Sequence, residues 1–283
     1  MNLIFLLATV TVAIAVKRLP KCGIANDAAL QYQSLDLAYK EDDREFKILG
    51  GSEPDHHMFP FMASLFIRNV TICTATIIGE RYILTAEHCL NMEDKEYLLQ
   101  HLVVQFGALN RFKGHFVKME DIYFTNLKNA DFAIIKLKQK IKFDENAQPI
   151  CLTANPKLEL VKEMLVAGFG YTPVGNGTVQ PSDVYKIVTV PIRANGYCKH
   201  KRNTDFCAGA SNAGTMAGDS GGPAIMLKAK RFYQIGLTAG GRYSYHIAPD
   251  GTNTTIDHGT YVRVSAYCDF IADVTQKEVT CGQ

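Results

Sequence analysis

The chain has 283 residues, with 30 lysines and arginines against 28 aspartates and glutamates, and 47% of its residues are apolar. This length allows one large domain or two small ones with an ample core, and the apolar content and even charge balance exclude a disordered chain. The net charge of +2 gives no global field for holding nucleic acid.

The first residues are typical of a secretory signal peptide. An apolar run from Leu3 to Ala15 ends in the small-x-small sequence Ala13-Ile14-Ala15. The run has roughly 13 residues, fewer than the roughly 20 that span a bilayer as a helix. The alternative is a buried core strand or helix. We expect residues 1–15 to be removed, and the protein to be secreted and extracellular, with no membrane partner.

Residues 16–47 have the composition of a solvated leader, with the acidic run Glu41-Asp42-Asp43 near their end. The body of the chain then shows short β-branched or aromatic runs between Gly, Asn, Asp and Pro clusters. These predict strands at Phe61–Ile67, Arg81–Thr85, Leu102–Gly107, Phe132–Leu137, Val184–Val190, Phe232–Leu237 and Thr260–Val264.

One helix is predicted near the end of the chain. Tyr267, Phe270, Ile271 and Val274 fall at i, i+3, i+4 and i+7, which places them on one helical face. Many short strands with few helices favour a barrel or a sandwich over a parallel α/β sheet.

Eight cysteines in a secreted chain predict disulfides, although counting alone leaves their connectivity open. No CxxC pair is present, so zinc-ribbon spacing is absent and no metal site is expected. Three Asn-x-Thr sequences, at Asn69, Asn176 and Asn253, are candidate glycosylation sites.

Three short segments carry chemistry: Leu84–Cys89, Asn129–Ile135 and Gly218–Pro223. The serine hydroxyl in the third needs a base, and the histidine in the first can accept its proton and return it to a leaving amine. An Asp within an apolar run can hold that imidazole in one tautomer. Taken singly, the segments could be a Gly-rich turn, a core histidine and a solvated aspartate.

Together with Ile48-Leu49-Gly50-Gly51, these segments make residues 48 to about 275 resemble the chymotrypsin-fold (trypsin-like) serine protease family. The resemblance implies an all-β fold of two packed antiparallel six-stranded β-barrels with a C-terminal helix, forming a protease domain over residues 48–283. It also implies a catalytic triad of His88, Asp131 and Ser220 and an oxyanion hole formed by the backbone amides of Gly218 and Ser220.

The resemblance further implies a zymogen. Cleavage between Lys47 and Ile48 would separate the activation propeptide, residues 16–47, from the protease domain, and the new amino group of Ile48 would pair with Asp219. A buried pair of this kind is costly unless both charges are present, so it can act as a switch. A Cys22–Cys151 bridge would keep the propeptide tethered after the cut. The basic residue at the cut requires an activating protease of tryptic type.

Disulfide pairs also follow from the resemblance. A usual family bridge is replaced by Met164 and Met226, and Met216 occupies one position of another missing bridge. The expected pairs are Cys73–Cys89, Cys198–Cys207, Cys22–Cys151 and Cys268–Cys281.

Specificity in this family depends on the residue six before the nucleophile, which is Gly214 here, and on pocket walls that align with Gly241 and Gly259. Small uncharged residues at all three positions predict an open pocket for bulky apolar residues. Such an enzyme would not activate itself at Lys47.

Some positions depart from the family pattern. Glu87 replaces a small residue beside the histidine, Ala239 a serine, and Gly240 and Phe169 replace tryptophans. Two hypotheses follow: a secreted serine endopeptidase, or a weak or inactive pseudoprotease that serves as a binding module. The expected partners are polypeptide substrates, the activating protease and protein inhibitors, with no cofactor and no nucleic acid. The expected state is a monomer.

Overall fold

A computed structural model of the chain describes residues 22–24, 49–54, 56–155, 162–175, 178–199, 202–247 and 252–282. The predicted signal peptide 1–15, most of the leader 16–47, the cleavage residues Lys47 and Ile48, and Asn176 lie outside the described residues.

The first half of the protein is a closed barrel of six strands in the order β1-β2-β3-β6-β5-β4, all pairs antiparallel. The strands alternate or run fully apolar because one face, and in places both, packs against core side chains. They are β1 (Met62–Ile67), β2 (Val70–Ile77), β3 (Tyr82–Thr85), β4 (Leu102–Phe106), β5 (His115–Phe124) and β6 (Ala133–Leu137).

The second half contributes β7 (Cys151–Leu152), β8 (Glu163–Gly168), β9 (Tyr171–Gly175), β10 (Thr178–Pro181), β11 (Lys186–Arg193), β12 (Asp205–Ala208), β13 (Pro223–Lys228), β14 (Arg231–Gly240), β15 (Tyr243–Ile247), β16 (Asn253–Asp257) and β17 (Gly259–Arg263). Six of these strands form the order β13-β8-β11-β12-β17-β14, and pairing of β13 with β14 closes them into a second barrel. Strand β7 adds to β14 in parallel, while β9–β10 and β15–β16 are separate hairpins.

Two α-helices occur among the described residues, α1 (Lys95–His101) and α2 (Cys268–Val274). Helix α2 confirms the predicted C-terminal helix. Helix α1 was not predicted, because it has 7 residues and only Leu98 of them is buried, which leaves no periodic apolar face to detect. Its start is fixed by Asp94, whose side chain accepts a hydrogen bond from the Tyr97 amide at 2.8 Å. No helix of the described residues is long and apolar enough to span a membrane.

The two barrels are joined by a shared apolar cluster. The ring of Phe59, which precedes the first barrel, lies 5.2 Å from the ring of Phe232 and 6.1 Å from that of Tyr185, both in the second half. The Phe59 amide also donates a hydrogen bond to the Tyr185 hydroxyl at 3.1 Å. A separate cluster fills the second barrel and contains Met164 and Met226, which are both buried as expected for apolar packing in place of a bridge.

Four disulfides join Cys22–Cys151, Cys73–Cys89, Cys198–Cys207 and Cys268–Cys281, the pairs that the resemblance implied. The first bridge attaches residues 22–24 to the second half of the protein. There the Gly23 amide donates to the Pro149 carbonyl, and the Phe232 amide donates to the Gly23 carbonyl, each at 2.7 Å. The described part of the leader is therefore bound both covalently and by backbone hydrogen bonds.

Candidate active site

The register of β3 and β6 brings the predicted histidine and aspartate together. Thr85 ends β3 and lies opposite Ala133, which begins β6. His88 follows Thr85 by three residues, in a 3₁₀ turn, and Asp131 precedes Ala133 by two. Because the strands are antiparallel, both side chains emerge at the same edge of the first barrel.

The Asp131 carboxyl group holds the His88 segment at two points. His88 Nδ1 lies 2.8 Å from Oδ2, and the His88 backbone amide donates to Oδ1 at 3.0 Å. An ionised carboxylate can only accept, so this contact assigns the proton of a neutral imidazole to Nδ1. Nε2 is then left with the lone pair that a general base requires. The ring of Phe132 stacks on Tyr267 at 4.3 Å and supports the strand beside Asp131.

Ser220 lies on a loop of the second half that is fastened to the first barrel. The Thr74 amide, on β2, donates to the Ser220 carbonyl at 2.9 Å, and the Thr74 hydroxyl donates to the Gly218 carbonyl at 2.9 Å. Cys89 Sγ lies 3.8 Å from the Ser220 carbonyl oxygen. Since Cys89 directly follows His88, the loop with the predicted nucleophile is held beside the histidine turn.

Gly218 and Gly221 have φ angles of 90° and 80°, a region that favours glycine. A Cβ atom on Gly221 would overlap the Thr85 hydroxyl and the Thr74 carbonyl. The glycines around Ser220 are therefore required both for the turn and for its close approach to the first barrel.

Asp219 is fully buried beneath this loop. Its carboxylate accepts hydrogen bonds from the Met216 amide at 2.7 Å and the Gly170 amide at 2.8 Å. Burial raises the pKa of Asp219 to about 7, against the opposing effect of these two N–H donors. A Cβ atom on Gly168 would overlap the carboxylate, and one on Gly170 would lie 2.6 Å from it, so glycine at both positions makes room for the acid.

The first described residues after the predicted cleavage site lie against the second barrel. The Gly214 amide donates to the Leu49 carbonyl at 2.8 Å, and Ser52 exchanges backbone hydrogen bonds of 2.9 and 3.0 Å with Ile187. Gly50 has a φ of 72°, and a Cβ atom there would overlap the Asn212 carbonyl. This segment is thus ordered next to the loop that leads to Asp219.

The three predicted pocket glycines surround the carboxyl group of Asp257, at the end of β16, a residue that the sequence interpretation did not single out. A Cβ atom on Gly214 would overlap Oδ2, one on Gly241 would lie 3.1 Å from Oδ1, and one on Gly259 would lie 3.2 Å from Oδ2. The uncharged pocket was predicted from the three glycines alone. The sequence does hold a signal, since Asp257 lies two residues before Gly259, but the long segment from Tyr243 obscures the alignment.

Ala239 has a small side chain and Gly240 has none, which leaves the cleft open beside the His88–Asp131 pair. Among the described residues, Asp131 receives its hydrogen bonds from His88 alone, and Ala239 has no hydroxyl to add another. A Cβ atom on Gly240 would meet nothing within 4 Å. A cavity of about 310 Å³ occupies this space, and its lining includes the cations Lys199, Arg202 and Arg242.

Glu87 is half-buried next to the predicted triad. Its pKa is raised, first by burial and then by the Asp131 carboxylate, while Arg202 acts in the opposite direction.

His88 and the sulfurs of Cys73 and Cys89 lie within 4.8 Å of one another, but the two sulfurs are bonded to each other and offer no thiolate pair for a metal. Of the candidate glycosylation sites, Asn69 and Asn253 are exposed.

Comparison of the chain with known proteins identifies its family. The family model for trypsin matches residues 48–271. The chain is 30% identical over 258 residues to the venom serine protease Bi-VSP of Bombus ignitus, a match that covers 79% of this chain and 67% of that protein. It is 28% identical over 249 residues to coagulation factor XI of Bos taurus, covering 81% of this chain and 38% of factor XI. The chain belongs to the trypsin family of serine proteases.

Proposed function

We propose that this protein is a secreted serine endopeptidase made as a zymogen, with residues 1–15 as signal peptide and 16–47 as activation propeptide. The observation that carries the proposal is the His88–Asp131 pair, with contacts of 2.8 and 3.0 Å, beside the fastened Ser220 loop. Four disulfides support an oxidising, extracellular setting.

In the proposed reaction, Ser220 Oγ attacks the carbonyl carbon of a peptide bond while His88 Nε2 takes its proton. Asp131 stabilises the imidazolium that forms, and the amides of Gly218 and Ser220 donate to the oxyanion. His88 then protonates the leaving amine, which leaves an acyl-enzyme on Ser220. Water, deprotonated by the same histidine, hydrolyses the ester and restores the serine.

The proposed switch is the cut between Lys47 and Ile48. Asp219 supports it, because its buried carboxylate receives two N–H donors but no cation from the described residues. An α-ammonium group at Ile48 would supply the missing charge. The backbone hydrogen bonds of Leu49 and Ser52 with the second half of the protein support entry of that new terminus near the loop that leads to Asp219.

The test uses the full-length zymogen, cut with immobilised trypsin that is then removed. A fluorophosphonate probe should label the cut protein and fail to label both the uncut protein and the Ser220→Ala variant. Intact mass should show one probe per chain. A correctly cut, folded protein that takes no label would favour the pseudoprotease, whose cleft binds polypeptides without hydrolysing them.

A further inference from the structure

The hairpin β15–β16 carries two exposed apolar side chains next to each other on one face. Tyr245 is 78% exposed and Ile247 is 70% exposed. Successive residues of a strand point to opposite faces, so Tyr243, Tyr245 and Ile247 share one face of β15. The inner end of that face is packed against the loop before the predicted nucleophile, where the Tyr243 hydroxyl donates to the Thr215 carbonyl. An apolar face therefore begins inside the protein and continues into solvent.

Strand β15 is also an open edge within the described part of the chain. Its backbone pairs there with β16 alone. An exposed edge strand with large apolar side chains is a template for pairing with other chains, and native proteins usually cover or blunt such edges. A group that covers this face of the hairpin is therefore expected.

The register of the hairpin places a glycosylation sequence opposite these side chains. The Asn-x-Thr sequence at Asn253 begins β16. Asn253 pairs with Ile247, and Thr255 pairs with Tyr245. Directly opposite residues lie on the same face with Cβ atoms about 4.5–5.5 Å apart, and diagonal neighbours are about 7–8 Å apart. Asn253 is exposed, so a sugar linked to its amide nitrogen would lie over Ile247 and beside Tyr245.

We propose that Asn253 carries an N-linked glycan whose first N-acetylglucosamine packs on Tyr245 and Ile247. One face of this pyranose ring presents axial C–H groups, which are attracted to the negative face of an aromatic ring. The same sugar covers the isoleucine side chain and keeps other chains away from the edge of β15. The glycan thus orders the hairpin and screens its apolar face, independently of whether the protein hydrolyses peptides.

The modification itself uses a lipid-diphosphate-linked oligosaccharide as donor. The amide nitrogen of Asn253 forms a bond to the anomeric carbon of this donor and loses a proton. The bond from that carbon to the diphosphate oxygen breaks, and the diphosphate leaves with the lipid. The secretory pathway supplies this reaction to chains with an Asn-x-Thr sequence.

The other described Asn-x-Thr sequence, at Asn69, has no such platform. Asn69 lies in the turn between β1 and β2, with a φ of 65°, and the last paired residues before the turn are Ile67 and Val70. No residue of that hairpin is therefore directly opposite Asn69. A glycan at Asn69 would project from the turn, which makes this site the internal control.

The first experiment uses the full chain with Ser220→Ala, secreted by mammalian cells that are restricted to high-mannose glycans. Peptide-N-glycosidase F in heavy-oxygen water converts each glycosylated asparagine into a labelled aspartate, which mass spectrometry locates. Asn253 should be labelled in nearly every molecule. An unmodified Asn253 in the secreted protein would overturn the proposal.

The second experiment compares two enzymes on this same chain. Endoglycosidase H leaves the first sugar on the asparagine, whereas peptide-N-glycosidase F removes the whole glycan. Hydrogen exchange of the β15–β16 amides should be equally slow in the untreated and the trimmed protein. It should be about fivefold faster after complete removal, because the sugar that packs on the hairpin is then lost.

Three variants test which side chains are responsible. Thr255→Val removes the sequence but keeps the asparagine, so its exchange should match that of the fully deglycosylated protein. In Tyr245→Ser, removal of the glycan should change the exchange rate little. Thr71→Val, which removes the sequence at Asn69, should leave exchange in β15–β16 unchanged. Thermal unfolding checks that each variant is folded.

The comparison of the two enzymes needs no substitution in the hairpin, so it decides the matter even where a variant fails to fold. Equal exchange in the untreated, trimmed and fully deglycosylated proteins would overturn the packing of the glycan on Tyr245. Faster exchange already after trimming would overturn the role of the first sugar. Protection that depends on protein concentration would assign the face to a second copy of the chain and would also overturn the proposal.

Discussion

At the scale of single residues, Thr74 couples the two halves of the site through its hydroxyl group. This hydroxyl donates to the Gly218 carbonyl and accepts a hydrogen bond from the Phe169 amide, each at 2.9 Å. Both partners belong to the second half of the chain, whereas Thr74 lies on β2 of the first barrel. A side chain from the other barrel thus holds the carbonyl of Gly218, the residue whose N–H is a predicted oxyanion donor.

Thr74→Val should therefore weaken both stability and catalysis. It removes two hydrogen bonds from a fully buried site, for an expected loss of about 1–3 kcal/mol in the free energy of unfolding. We expect kcat to fall about tenfold or more, with a smaller change in KM. Urea unfolding and steady-state kinetics measure the two effects.

The matched control is Thr76→Val on the same strand. Thr76 is equally buried, but its hydroxyl has no partner among the described residues. Its replacement should leave stability unchanged or improved and kcat unaltered. Equal losses in the two variants would contradict the role assigned to Thr74.

Asp219 links the proposed activation to the pH dependence of stability. Its pKa in the folded, uncut protein is raised from 3.8 to about 7, so between these values the folded state binds more protons than the unfolded state. The free energy of unfolding therefore falls as the pH rises through this interval. The stabilisation is complete below the ordinary pKa and is lost above about 7.

We expect uncut Ser220→Ala to show this fall in its melting temperature between about pH 4 and 7. Ser220→Ala/Asp219→Asn should lose part of the fall, and so should the cut protein once the Ile48 ammonium group pairs with the acid. Calorimetry of the three proteins over this pH range makes the comparison. Identical pH profiles of cut and uncut Ser220→Ala would show that no cation reaches Asp219 after cleavage.

At the scale of elements, the C-terminal tail that follows α2 contacts both the segment after β7 and the first barrel. The Thr275 hydroxyl donates to the Ile271 carbonyl at 2.6 Å, and Gly282 exchanges backbone hydrogen bonds with Leu152 and Ala154 at 2.9 Å. Val279 packs against Gly79 so closely that a Cβ atom on Gly79 would lie 2.6 Å from the valine Cγ2. The Cys268–Cys281 bridge closes this segment.

A double-mutant cycle should detect this contact. Gly79→Ala alone forces an overlap and should cost about 1–3 kcal/mol of unfolding free energy. Val279→Ala alone removes buried apolar surface and should cost about 1–2 kcal/mol. Because the smaller residue 279 makes room for the new methyl group, the double variant should lose less than the sum. Strict additivity in guanidinium unfolding would show that the two side chains do not touch.

Elements were predictable from the sequence where their pattern is local and strong. The runs that became β3 and β6 are apolar apart from Thr85 and Lys136, and their predicted ends fall within a residue of the observed ones. The hairpin β15–β16 was not predicted: Tyr243, Tyr245 and Ile247 alternate with polar residues in β15, a signal that was missed, whereas β16 contains a single apolar residue and the hairpin is largely exposed. Since Asp257 ends that hairpin, its place behind Gly214 depends on tertiary folding that no local pattern encodes.

At the scale of the whole molecule, the proposed catalysis depends on how the two barrels pack. His88 and Asp131 come from the first barrel and Ser220 from the second half, so rotation of one barrel on the other would change the distance between the proposed nucleophile and its base. Phe59 lies at this junction, 5.2 Å from Phe232 and fully buried. The motifs predicted that the barrels meet, but which rings fill the junction depends on packing that sequence patterns do not specify.

Phe59→Leu should lower kcat as well as stability, because a smaller side chain loosens the junction. Its control is Phe106→Leu, which removes a similar ring from the core of the first barrel. Both should lose about 1–3 kcal/mol of unfolding free energy. At temperatures well below unfolding, only Phe59→Leu should reduce kcat. Equal kcat values in the two variants would show that the junction tolerates the change.

Because Cys22 is bonded to Cys151, the proposed cut after Lys47 would divide the polypeptide without freeing the leader. The cut protein would migrate as one species on a non-reducing gel and would separate after reduction into residues 16–47 and 48–283. The leader would therefore travel with the protease domain as a second, covalently attached chain.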